Sequence, residues 1–184
     1  MKFAPLFILS LVFLGSCTSS TDVVEPKTTV DINSWASFSQ SGISMKYPAN
    51  WSLDAEWKFG TKFFIYSPGE WTGDVFQENV NLVTEDLSKK PMTIDEYGQA
   101  NIDQIKSVIT NATIVTNEKR QDSSGNDYYL AQYKGIQGSV NLEFIQFYRI
   151  KDTTAYVLTL TLEDKAENPY RDIWVKIMDV ATLQ

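Results

Sequence analysis

Histidine is absent from all 184 residues, and cysteine occurs once, at Cys17. Without an imidazole, every Ser–His or Cys–His nucleophilic mechanism and every His-ligated zinc or iron centre is excluded. A lone cysteine closes no internal disulfide, so no covalent framework constrains the fold. Basic residues are also in short supply: 16 Lys and Arg stand against 23 Asp and Glu, for a net charge of −7. Neutralising phosphates needs clustered cations, so this balance argues against nucleic acid as a partner. Hydrophobic residues at 43% and charged residues at 21% are ordinary for a folded chain and wrong for a disordered one. No internal repeat or low-complexity tract interrupts the sequence.

What is present begins with an address. Met1-Lys2 is followed by an almost wholly apolar run from Phe3 to Leu14, then Leu14-Gly15-Ser16-Cys17. A hydrocarbon core takes about 20 apolar residues to cross, so the run is too short to span one comfortably. A positive start, an apolar stretch and a small-residue end make a secretory signal. The last four residues resemble the bacterial lipobox. That resemblance implies removal of residues 1–16, lipidation of Cys17 and delivery to the bacterial cell envelope. Thr18 permits outer-membrane sorting by the rule of some double-membrane bacteria. Several acyl chains, at about 0.8 kcal/mol per buried CH₂, anchor stably where one would not. Residues 17–34, small and polar with Pro26, are expected to form a flexible tether, and residues 35–184 a single domain.

From Trp35 onward the chain alternates with the period of a sheet. Ile43, Met45 and Tyr47 share a face until Pro48 ends the run; strands follow from Trp51, over Thr61–Tyr66, and over Glu78–Glu85. The period then lengthens. Ile94, Tyr97, Gly98, Ile102, Ile105, Val108 and Ile109 form one helical face. Thr93 and Glu96 have capping-box spacing, Met92 and Tyr97 that of a hydrophobic staple. Gly98 on the apolar side predicts close approach to a sheet. Four further strands are predicted at Ala112–Glu118, Tyr128–Tyr133, Val140–Lys151 and Thr154–Glu163. A last helix should start with Asn168 as its cap and Pro169 in its first position. Four strands, a helix, four strands and a helix indicate an α+β fold: a mostly antiparallel sheet flanked by helices.

Three stretches carry a family resemblance. Gly42-Ile43-Ser44-Met45-Lys46-Tyr47-Pro48-Ala49-Asn50-Trp51 resembles the opening of the PsbP-like and DcrB-like lipoproteins. The Asn79–Thr84 strand followed by Thr93-Ile94-Asp95-Glu96-Tyr97 resembles their entry into the first helix. Ala155–Thr161 resembles their penultimate strand. The resemblance covers about residues 38–182. It implies an α-β-α sandwich and an exported, usually non-enzymatic, partner-binding or assembly module. From the residues themselves, no cofactor or metal is expected.

Candidate chemistry is sparse. The acid pairs Glu85-Asp86, Asp95-Glu96 and Glu163-Asp164 could serve a carboxylate hydrolase only if two carboxyls face each other across a cleft; strand ends and helix caps explain them more simply. Asp122–Asp127 surrounds a glycine with oxygen ligands, yet lacks the closing glutamate of an EF-hand, so calcium is not expected there. The Pro68–Phe76 stretch sets two large aromatics, Trp71 and Phe76, in what reads as a loop. They are the candidate contact for an envelope protein or a glycan, against the simpler alternative that they fold back onto the sheet. Trp51, Trp174 and Tyr128-Tyr129 read as core or cross-strand residues.

Overall fold

A computed structural model describes residues 31–40, 42–56, 60–70, 74, 76–122, 124–166 and 168–183. After a 3-10 turn at Ile32–Ser34, β1 (Ala36–Gln40), β2 (Ile43–Tyr47), β3 (Ser52–Asp54), β4 (Thr61–Tyr66) and β5 (Asn79–Asp86) precede α1 (Ile94–Val108). Then come β6 (Thr110–Gln121), β7 (Asp127–Gln137), β8 (Val140–Lys151), β9 (Thr154–Glu163), α2 (Arg171–Val180) and β10 (Thr182–Leu183). Seven strands form one sheet in the order β3-β4-β5-β9-β8-β7-β6; β1-β2-β10 form a second, and every pairing is antiparallel. The expected α+β class therefore holds.

The large sheet is buried on both faces. α1 packs across β6, β7 and β8. Its Tyr97, Ile102 and Ile105 share a core with Tyr133, Leu142, Phe144 and Tyr148. The opposite face of the sheet contributes Phe63, Ile65, Val80, Leu82, Leu158, Leu160 and Leu162. Onto these pack the small sheet, through Ile43 and Met45, and α2, through Trp174 and Ile177. One outer layer is thus a helix alone, and the other is a helix beside a three-stranded sheet. Alternation along β9 decides this: Val157 points to one core, Leu158 and Leu160 to the other.

Local chemistry explains the sharpest boundaries. At the start of α1 the Thr93 hydroxyl accepts from the Glu96 amide at 3.2 Å, while the Glu96 carboxylate accepts from the Thr93 amide at 2.8 Å. Two orphan donors are satisfied reciprocally. Met92 packs into the core that contains Tyr97, as a staple requires. A Cβ on Gly98 would lie 2.4 Å from the Tyr129 ring, so the close approach of helix to sheet depends on the missing side chain. The β8–β9 hairpin turns at Asp152, whose φ of 55° lies in the left-handed region that Asp tolerates better than most residues.

Two elements differ from expectation. β1 and the two-residue β10 were not legible as strands, and they complete the small sheet. The second helix starts at Arg171 with Tyr170 at its cap and no side-chain cap bond, not at Asn168. Asn168 lies outside that helix because its side chain is used twice. Its amide donates to the Glu78 carboxylate at 3.0 Å, and its carbonyl accepts from the Tyr170 amide at 3.0 Å. Trp51 and Trp174 are buried as expected, Tyr128 stacks on Phe147, and Tyr129 stacks on Tyr148.

Candidate functional site

Cys17 and Trp71 lie outside the described residues. Phe76 does not sit where a contact residue would: it is 4% exposed, in the α1-side core with Leu87 and Tyr97. The expectation of a surface Phe76 is corrected. Asp74 supplies the reason, since its carboxylate accepts from the Glu70 amide at 2.9 Å and the Phe76 amide at 3.2 Å. One carboxylate thus holds the amides on either side of it, and the Phe76 ring lies in the core.

The strand-end region around this segment is a polar clasp. Glu78 is fully buried; its carboxylate accepts from Asn168 at 3.0 Å and, more weakly, from Ser67 and the Glu163 amide, each at 3.4 Å. Burial pushes its pKa up, opposed by the Asn168 hydrogen bond. Beside it the Lys165 ammonium joins Glu70 at 2.8 Å to Glu163 at 2.5 Å. Burial works against that ammonium, but its bonds to the two carboxylates outweigh burial and raise its pKa. Tyr170 donates to the Pro68 carbonyl at 3.4 Å, and burial lifts its phenol to about 12. The residues before β5 are thereby pinned to the connection between β9 and α2.

The acid pairs separate onto different partners. Glu85 accepts from the Tyr97 hydroxyl at 2.9 Å, and Asp86 closes a turn on Ser88. Asp95 pairs with Lys119, Glu96 caps α1, and Asp164 meets Lys134 at 2.6 Å. Glu70 and Glu163 do converge, but on one shared ammonium. In the Asp122–Asp127 turn, Asp122 accepts from the amides of Ser124 and Asn126, both at 2.9 Å, and pairs with Arg149 at 2.9 Å. The Asn126 amide is the largest of the influences that hold its carboxyl below the ordinary range.

Sequence reasoning missed a cleft between the two sheets, where α2 ends. Ile43, Leu82, Phe147, Leu158, Met178 and Leu183 make it apolar, and Arg149 and Tyr156 bring polar ends to it. It is open on one side, and its enclosed space is about 20 Å³, room for about one water molecule. The Arg149 guanidinium lies 5.8 Å above the Tyr128 ring, which stacks on Phe147 at 5.1 Å. No sequence window joins residues from β2, β5, β8, β9, α2 and β10. The residue that lay in view was Arg149, an arginine on the sheet face shared with Phe147.

No protein-family model and no curated protein matches the chain. Solved structures do match its fold. Cyanobacterial PsbP (CyanoP) from Synechocystis sp. PCC 6803 superposes with a TM-score of 0.61 at 16% identity, covering 93% of this chain and 99% of that one. A protein of unknown function from Pseudomonas aeruginosa, PA94, gives 0.55 at 12% identity over 79% of this chain and 94% of that one. LpqN, involved in cell envelope biogenesis of Mycobacterium tuberculosis, gives 0.51 at 11% identity over 77% and 83% of the two chains. The fold is PsbP-like.

Proposed function

We propose that this chain is an exported, non-enzymatic binding or assembly protein of a bacterial cell envelope, held to a membrane through lipidated Cys17. The observation that carries the proposal is the position of the only cysteine, directly after Leu14-Gly15-Ser16 and upstream of a PsbP-like domain. Two further facts support it. LpqN, which shares the fold, is described as involved in cell envelope biogenesis. The carboxylates that a histidine-free hydrolase would need are engaged in caps, turns and ion pairs of the fold. With Phe76 in the core, Trp71 is left as the aromatic proposed to meet an envelope protein or a glycan.

Mass spectrometry of the native protein tests the anchor. The expected mature chain starts at Cys17 and carries a diacylglyceryl thioether and an acylated amine, and Cys17→Ser leaves an uncleaved or soluble precursor. An unmodified N terminus downstream of Cys17 would end the proposal.

A further inference from the structure

Four tyrosines gather in the α1-side core: Tyr97, Tyr129, Tyr133 and Tyr148, each 5% exposed or less. Three of their rings adjoin. Tyr97 meets Tyr148 edge-on at 5.7 Å, and Tyr148 stacks on Tyr129 at 6.1 Å. Their hydroxyls are served unequally. That of Tyr133 has no partner among the described residues, and that of Tyr148 donates to the Gln146 amide oxygen, which is no base. Tyr97 instead donates at 2.9 Å to a carboxylate, that of Glu85 on β5. Glu85 is half-buried, and among the described residues Tyr97 is its one hydrogen-bond partner and no cation pairs with it. Burial pushes the Tyr97 phenol well above its ordinary range, and the Glu85 charge adds to the effect, so the hydroxyl keeps its proton at rest. A phenol that loses an electron becomes a strong acid. Its oxidation is therefore easiest where a base already holds the O–H.

We propose that Tyr97 is a redox-active tyrosine, oxidised by a one-electron radical oxidant of the carbonate-radical class with Glu85 as the proton acceptor. The electron leaves the ring for the oxidant, which becomes carbonate. The Tyr97 O–H bond breaks, an O–H bond forms on Glu85, and the phenoxyl radical stays on the ring. Glu85, half-buried, passes its proton on to water. A hydrogen-atom donor such as ascorbate then restores the phenol. The ring contacts supply the route for the electron, since Tyr97 itself is 2% exposed. They lead through Tyr148 to Tyr129, which lies opposite exposed Lys119 on the edge strand β6. Burial also protects the product, because an enclosed phenoxyl ring cannot couple with that of a second copy. Export to the cell envelope would bring the domain to such oxidants, and that clause rests on the proposed function; the chemistry at Tyr97 does not.

Flash-generated tris(bipyridine)ruthenium(III) is the oxidant for the test, used on the purified protein and followed by absorption and electron paramagnetic resonance. A phenoxyl radical should form whose first-order lifetime does not depend on protein concentration, and its formation should slow in heavy water. Tyr97→Phe should remove this long-lived radical. Glu85→Gln keeps an acceptor for the hydroxyl but no base, and should slow radical formation about a hundredfold, the lower end of what a positioned general base contributes. A pair that served packing alone would move neither the rate nor the isotope effect. Thermal unfolding confirms that each variant is folded. Formation at the unaltered rate in folded Glu85→Gln, or a long-lived radical that persists in folded Tyr97→Phe, overturns the proposal. So does the absence of any phenoxyl radical, its second-order decay to dityrosine, or equal formation rates in light and heavy water. Those last three outcomes are read on the unaltered protein, so they hold even where a variant fails to fold.

Discussion

The two faces of the seven-stranded sheet are built from the same strands and yet differ in chemistry. Toward the small sheet and α2, β4, β5 and β9 present Phe63, Ile65, Val80, Leu82, Leu158, Leu160 and Leu162. Glu143, a buried carboxylate on that side, is held by Arg171 and by Gln132. Toward α1, the alternate positions of β5, β8 and β9 are Asn79, Asn81, Gln146, Thr159 and Thr161, all 7% exposed or less. Cross-strand register lines them up: Asn79 faces Thr161, Asn81 faces Thr159, and Thr159 faces Gln146. Gln146 donates to Thr159 at 3.1 Å and accepts from the Tyr148 hydroxyl, but the hydroxyls of Thr161 and Tyr133 have no partner among the described residues. One face is therefore an apolar core in the ordinary sense, and the other carries a buried polar seam. Burying a polar group without a partner costs about 1–3 kcal/mol, so the two faces should respond differently to substitution.

The largest effects belong to the aromatic anchors. Trp174 is 3% exposed and meets Phe147 edge-on, so Trp174→Ala should cost about 3–5 kcal/mol in urea unfolding. Phe76→Ala should cost nearly as much, about 3 kcal/mol, because its ring belongs to the α1-side core. A change below about 0.5 kcal/mol at Phe76, the size of a surface substitution, would return it to the surface.

Gly98→Leu comes next and probes the α1 face alone. The new side chain has to displace the Tyr129 ring, which is itself buried against Tyr148, and overpacking of this kind costs about 1–3 kcal/mol. An unchanged melting temperature would show that α1 does not press on the sheet as closely as described.

Much of this comparison was legible in the sequence because it is local. The boundaries of β8 and β9, the capping box of α1 and the meaning of Gly98 all follow from short windows of neighbouring residues. The rest depended on distant partners. Thr182 and Leu183 are a strand only because β2 offers Ser44 and Ile43 as partners, and no two-residue window has a period. Asn168 had every local mark of a helix cap, but Glu78, far earlier in the chain, claims its amide. Phe76 looked like a loop residue because nothing adjacent announces that its ring lies in the core. The cleft shares this fate, as its lining comes from both ends of the domain.

A smaller and pH-dependent effect is expected at Glu78, where the polar clasp meets the sheet end. Burial raises its carboxyl above the ordinary 4.5, so between 4.5 and its folded value the native state holds a proton that the unfolded chain has released. Stability from this group is then greatest below 4.5 and falls as pH rises through the folded value. Glu78→Gln cannot titrate, and its carbonyl still accepts from Asn168 and the Glu163 amide. Measured against the unaltered protein, the variant should gain in relative stability as pH rises from about 4 to about 7. A parallel pair of pH–stability curves would remove the buried-acid account.

The smallest expected change tests the polar seam directly. Thr161 is fully buried on β9, between Asn79 and Phe144, with its Oγ1 unpaired among the described residues. Valine has nearly the same shape, so Thr161→Val keeps the packing and removes only the hydroxyl. If that oxygen has no partner, its desolvation is a pure loss in the native state, and the variant should be neutral or more stable by up to about 1 kcal/mol. β-branching is retained, so strand preference does not change and the comparison isolates the hydroxyl. The same logic makes Tyr133→Phe a second arm, since that hydroxyl is also buried and unpaired while its ring stacks on Phe144 at 4.8 Å. A loss of about 1 kcal/mol or more in both variants would mean that the hydroxyls are satisfied in solution by bound water. The α1 face would then be a hydrated layer, and its difference from the apolar face would be one of occupancy as well as composition.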